Sequence, residues 1–220
     1  MNKYELTTET IQFEGRTLHR IKAVKDFGPV YAGQFGGWIE NEKNLSQDDN
    51  AWIYGEAMVF GNANVFGNAK VFANAIVHGD AIVYGNAKVY DNVEILGNAI
   101  VYGNAIVHGD AKIYDYAKVY DKANIYDFAE VYGNVRICGN ATIKGAAKVH
   151  DAVDYIVFKN FWSSGRYFTW TRSNNMWSVG CFYGTGEELI KKAYADSEKS
   201  GREYERVVRY VESILADERK

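Results

Sequence analysis

Three of the four histidines, His78, His108 and His150, recur at one position of a repeating stretch, directly after a Val. An imidazole, with its pKa near neutrality, is the first side chain to consider as a general base. His108 or His78 could each act as a single base across a subunit interface, but a surface histidine standing where other coils carry Tyr or Phe is the simpler reading, so no catalytic residue is expected. Cys138 falls at the same position, where Tyr or Phe is usual, and reads as a replacement for an aromatic rather than an activated thiolate. A second constellation sits at three successive turns, Asp115-Tyr116, Asp121-Lys122 and Asp127-Phe128, each preceded by a tyrosine (Tyr114, Tyr120, Tyr126). Carboxylates, an amine and phenols at matched spacing suit a binding surface; equally, Asp tolerates a turn conformation almost as Asn does. A third set, Arg166, Trp170 and Arg172 with Trp177, offers guanidinium and indole groups to an anionic or aromatic ligand, or to ordinary packing. Gly184-Thr185-Gly186 precedes a helix and fits an N-cap better than an anion site. The remaining glycines recur singly at turns, so no phosphate-cradling loop is expected, and no cofactor.

These residues hang on one repeated sentence. From Ala51 to Ala152 the pattern Ala-x-Val-x-Gly-Asn runs seventeen times without insertion or deletion. The Ala and Val positions are two apart and share one side of a strand, while residues such as Lys70, Lys88, Glu94 and Lys112 face the other side. A four-residue strand followed by Gly-Asn, both tolerant of positive φ, describes a coiled ribbon rather than hairpins. Units this short bury their apolar side only by stacking on each other. An array without interruption also leaves little room for an active-site loop.

The hexads resemble those of the hexapeptide-repeat family, with an aliphatic residue followed four positions later by a small one, as in Val59 and Ala63. The glycine departs from that pattern by one position. The resemblance implies a left-handed parallel β-helix, a triangular prism with three hexads per coil and hence between about five and six coils. At the interstrand spacing the prism should be roughly 27 Å long, with a filled interior. On that geometry His78 and His150 share an edge about 19 Å apart, and His108 lies on another. They cannot meet one metal ion, so no metal site is expected. Outward aromatics form three edge columns: Phe66, Tyr84, Tyr102 and Tyr120 leading to Cys138; Phe60 with Tyr114 and Tyr132; and Tyr54, Phe72, Tyr90 and Tyr126. The Asp-bearing turns fall on different corners of one coil and converge only between neighbouring copies of a trimer.

Flanking segments should cap the strand edges that a β-helix exposes at its ends. Residues 1–44 form the N-terminal cap and lead-in, 45–153 the array, and 154–220 the C-terminal cap. In front, Ile11–Phe13 and Thr17–Val24 read as a hairpin about Glu14-Gly15, and Ile39 and Leu45 already stand in the alanine phase. Behind, Tyr155–Trp162, Tyr167–Thr171 and Met176–Tyr183 read as an aromatic meander. Two helices follow, with capping boxes at Thr185/Glu188 and Ser200/Glu203. Tyr204, Val207, Val208, Val211, Ile214 and Leu215 stripe the last helix, which should dock on the meander. The fold is therefore all-β dominated, with an α+β C-terminal cap.

The flanks also resemble YdcK-like proteins of enterobacteria, phages and prophages. That resemblance rests on Asp26-Phe27-Gly28, Ala32-Gly33, Gly36-Gly37, Ile39-Glu40, Asn44-Leu45-Ser46, Gly180-Cys181-Phe182 and Gly184-Thr185. The group is labelled as transferases by fold alone, which supports architecture more than activity. Many hexapeptide-repeat proteins are acyltransferases that use acyl-coenzyme A between the subunits of a trimer, with a histidine base and a loop interrupting the hexads.

A net charge of −3 disfavours nonspecific nucleic-acid binding. Two unpaired cysteines and the lack of any long apolar run or signal core point to the cytoplasm, that of the host if phage-encoded, and away from membranes. The expected function is a non-catalytic β-helical binding or scaffold protein of phage or prophage type. It is expected as a homotrimer whose partner is a protein or a small anionic ligand. The runner-up is an acyl-coenzyme A-dependent acyltransferase. The third reading is a phage protein that sequesters or inhibits a host defence component or nucleotide signal.

Overall fold

The fifth residue of each hexad sets the path of the chain. In the computed structural model, which describes residues 2–218, sixteen consecutive corner positions from Gly55 to Gly145 have φ between 57° and 74°. Ala73, Asp91, Asp115, Asp121 and Asp127 adopt this left-handed conformation where the others use Gly. The following Asn does not, so one residue makes each bend rather than the Gly-Asn pair. With one bend in every six residues, only two residues per unit form a ladder rung, not four. These rungs are strands β4 (Trp52–Ile53) through β20 (Lys148–Val149), one every six residues.

Each rung pairs in parallel with the rung eighteen residues on, as Val83 does with Val101 and Val101 with Val119. Three rungs therefore close a turn, and the array makes about six turns. The rungs fall into three sheets, β5-β8-β11-β14-β17-β20, β4-β7-β10-β13-β16-β19 and β6-β9-β12-β15-β18. Ala63, Val65, Ala81, Val83 and their equivalents are wholly buried along the axis. Burying a Val or Ile contributes about 1.5–3 kcal/mol, so stacked coils hold together what no single hexad could.

In front, β1 (Tyr4–Phe13) and β2 (Arg16–Ala23) form an antiparallel hairpin that turns at Glu14 and Gly15, both at positive φ. Its first strand begins well before Ile11. Next, β3 (Phe35–Ile39) pairs antiparallel with β2 and parallel with β5, so the prism starts inside the predicted cap. Here the phase differs from expectation. Ile39 pairs with Val59 and Leu45 with Val65, twenty residues on rather than eighteen. Two extra residues between Leu45 and Ile53 shift Ile39 and Leu45 out of the alanine column and under the valines.

Behind, β21 (Tyr155–Lys159), β22 (Tyr167–Thr171), β23 (Met176–Val179) and β24 (Phe182–Gly184) form an antiparallel sheet in that order. The expected third strand splits in two at Gly180, whose φ is 57°. Tyr155 and Val157 pack toward the prism, whereas Ile156, Phe158, Phe168, Trp170 and Trp177 join α1 (Gly186–Asp196) and α2 (Glu198–Asp217). Thr185 and Glu188 form the expected capping box of α1. For α2 the N-cap is Ser197, whose side chain accepts from the Ser200 N–H, so Ser200 lies inside the helix instead of starting it. No helix among the described residues is long and apolar enough to cross a membrane.

The two ends of the prism need opposite chemistry. Backbone N–H groups point toward the C-terminal end, as Tyr102 N donates to Val119 O at 2.9 Å. The last coil is met by acceptors: Thr169 Oγ1 for Thr142 N (2.9 Å), Ser173 Oγ for Lys148 N (2.7 Å) and Asp154 Oδ2 for His150 N (2.8 Å). The first coils present carbonyls and are met by donors: Asn44 Nδ2 to Ala63 O (2.8 Å), Tyr4 Oη to Leu45 O (2.8 Å) and buried Lys3 Nζ to Ala51 O (2.8 Å). Satisfying these groups is what makes the ends stable as ends.

Candidate functional site

The residue after each Val leaves the sheet at a corner, and the eighteen-residue period brings these side chains into files. Phe66, Tyr84, Tyr102 and Tyr120 stack with ring centroids 4.9 Å apart at each step and planes within 8°. Cys138 continues this file. A hydrogen bond with its thiol, followed by burial, raises the pKa of the Tyr120 phenol. In a second file Tyr54 meets Phe72 edge-on, and Phe72, Tyr90, His108 and Tyr126 stack at 4.7–4.9 Å. The Lys144 ammonium ends that file between the rings of Tyr126 and Tyr183, 5.3 and 4.9 Å from their centroids. A third file holds Phe60 on His78 (4.9 Å) and, beyond Leu96, Tyr114 on Tyr132 (4.9 Å) and His150.

The candidate bases are thus rungs in stacks. His108 lies between two tyrosines, with Nδ1 3.9 Å from Asp91 Oδ2. His78 lies on Phe60, with Nε2 3.4 Å from Glu94 Oε1. Glu94 also takes a hydrogen bond from Lys112 at 2.8 Å, which holds its carboxyl below the ordinary glutamate range. Tyr114 donates to Glu130 Oε2 at 3.2 Å, and Glu130 pairs with Lys148 at 3.0 Å. Burial, with Glu130 adding to it, pushes the Tyr114 phenol up to about 12. Among the described residues no three His, Cys, Asp or Glu side chains converge as a metal site would require.

The Asp-bearing turns have a common geometry. The carboxylates of Asp115, Asp121 and Asp127 each accept the backbone N–H one coil on, from Gly133 (3.1 Å), Gly139 (3.1 Å) and Gly145 (3.0 Å). Asp91 does the same for Gly109 at 3.1 Å. Tyr116, Lys122 and Phe128 beside them are exposed. The three corners belong to three different sheets and do not meet within one chain.

In the C-terminal cap, Trp170 and Trp177 are buried, with Trp170 Nε1 donating to Asn175 Oδ1 at 2.9 Å, so neither indole forms an open platform. Arg172 is engaged twice over, bidentate to Glu218 (2.8 and 3.1 Å) and donating to Val153 O. Arg166 is exposed. Sequence reasoning missed two features here. His150 Nδ1 sits 2.7 Å from Asp151 Oδ2, which raises the pKa of that imidazole; their adjacency in sequence was the available signal. An open apolar groove of about 400 Å³, lined by Phe158, Trp162, Val207 and Tyr210, runs between β21 and α2.

Residues 95–109 match the family model described as the YdcK β-solenoid repeat. The matched residues lie within the array. A protein of Escherichia coli (strain K12) named Uncharacterized acetyltransferase YdcK is 39% identical to this chain over 64 residues, covering 26% of this chain. The chain spans 20% of the length of that curated relative.

Proposed function

We propose that the chain is a non-catalytic β-helical frame of the phage or prophage type, which binds or scaffolds a partner along its outer edges. The observation that carries this reading is the employment of the candidate side chains. His78 and His108 are stacked rungs, and Asp115, Asp121 and Asp127 tie one coil to the next. A general base must be free to reach substrate, whereas these groups serve the ladder.

The similarity to a relative named as an acetyltransferase favours one second reading, acyl transfer from acyl-coenzyme A. In that reading His78 is the better base, because Glu94 lies beside its imidazole. Calorimetric titration with acetyl-coenzyme A separates the two. A flat titration supports the frame. Saturable binding that is lost in His78→Ala or His108→Ala overturns it in favour of the transferase.

A further inference from the structure

The strand β21 ends its sheet with one side unpaired. Its partner pairs with β22 place Ile156 opposite Trp170 and Phe158 opposite Phe168. Arg172 N donates to Asp154 O, and Asn160 N to Arg166 O. By the alternation of an antiparallel ladder, even-numbered residues direct their N–H and C=O groups toward β22. Those of Tyr155, Val157 and Lys159 point away from the sheet, and among the described residues β21 pairs with β22 alone. All five of its residues are partly or fully exposed, whereas β22 next to it is buried after its first residue.

The surface around this edge is apolar. Of the eleven large hydrophobic residues that are exposed among the described residues, five flank β21: Val153, Phe161, Trp162, Tyr167 and Tyr210. The groove between β21 and α2 opens beside the same edge. An unpaired edge beside exposed aromatics is a template for another strand.

We propose that this edge pairs with β21 of a second copy, forming a continuous eight-stranded sheet across a twofold axis. The strand is complementary to itself. With Val157 opposite Val157 of the other copy, Ile156 falls opposite Phe158 on the helix-facing side. Tyr155 falls opposite Lys159 on the other side, a pairing of ammonium and aromatic ring that Lys159 already makes with Phe161 and Tyr167 at 5.1 and 5.5 Å. The rim of the groove carries both signs, Glu203 paired with Arg206 at 2.7 Å, so it presents no excess of one charge to a second copy. One short strand and one groove per copy make a small interface, so association depends on concentration. This twofold pairing is a different assembly from the homotrimer implied by the hexapeptide-repeat resemblance.

Light scattering of the full chain over a range of concentrations tests it, together with hydrogen exchange at low and high concentration. The expected result is a mass that rises toward twice that of one chain, with amide exchange slowing in 155–159. Val157→Pro should hold the mass at one chain. Its N–H points away from β22, so the sheet itself keeps its bonds. Tyr210→Glu, at an exposed helical position, should do the same by a separate route. A single-chain mass at every concentration overturns the proposal. So does a mass of three chains, or an assembly that neither substitution weakens.

Discussion

Asp121 offers a sharp test of whether the acidic corners are parts of the ladder. Its φ is 59°, and its carboxylate accepts the Gly139 N–H at 3.1 Å. The bond is exposed and should contribute about 1 kcal/mol. In Asp121→Ala that bond is lost, and alanine also tolerates the left-handed backbone less well than Asp, adding roughly 0.5–1 kcal/mol. The total is about 1.5–2 kcal/mol, or roughly 4–6 °C in melting temperature for a chain of this size. Asp121→Gly loses the same bond but relieves the backbone, so it should cost about 1 kcal/mol or less and melt roughly 2–3 °C below wild type. Asp121→Asn keeps both the turn preference and an acceptor and should stay within about 0.5 kcal/mol of wild type. Thermal melts followed by far-ultraviolet circular dichroism read all three. If Gly melts as low as Ala, or if Ala matches wild type, the account of the corner is wrong.

Lys3→Met strips donors from the carbonyls of Ala51 and Asp49 and should lower stability by about 2–3 kcal/mol in urea denaturation. Gly201→Ala should destabilise by about 1–3 kcal/mol, despite alanine's better helix propensity, because an added Cβ would run into the Tyr194 ring; a stabilised variant would mean that α1 and α2 pack more loosely than described. Glu94 has its pKa lowered by the hydrogen bond from Lys112, so its stabilisation is complete above the ordinary glutamate range and lost as pH falls through the folded value. Lys112→Met should flatten that acid limb of the stability profile, and an unchanged limb would count against the pair.

Much of the frame was legible because the hexad repeats without error. The six-residue spacing of Val59, Val65 and Val71 specifies a stacked array, and the eighteen-residue register puts Tyr84, Tyr102 and Tyr120 in one file as read from sequence. The phase of Ile39 and Leu45 was not legible, since the two extra residues before Ile53 have no marker in the spacing on either side. The start of α2 was misplaced because Ser197 and Ser200 offer nearly the same capping chemistry. Only the structure shows that Ser197 accepts the Ser200 N–H. The roles of Lys3 and Asn44 depend on the direction in which an end coil presents its carbonyls, which no local motif records. The apolar groove beside β21 joins residues from a strand, a loop and a distant helix, so sequence proximity could not reveal it.

Whether histidines at the corners are rungs rather than bases can be read from the thermal stability of His108→Tyr beside His108→Ala. His108 lies 4.9 Å from Tyr90 and 4.7 Å from Tyr126, and stacking of this kind contributes about 0.5–1.5 kcal/mol per pair. His108→Tyr should melt at or above wild type, completing the file, and His108→Ala should melt several degrees lower. A His108→Tyr protein that melts below His108→Ala would contradict their role as rungs.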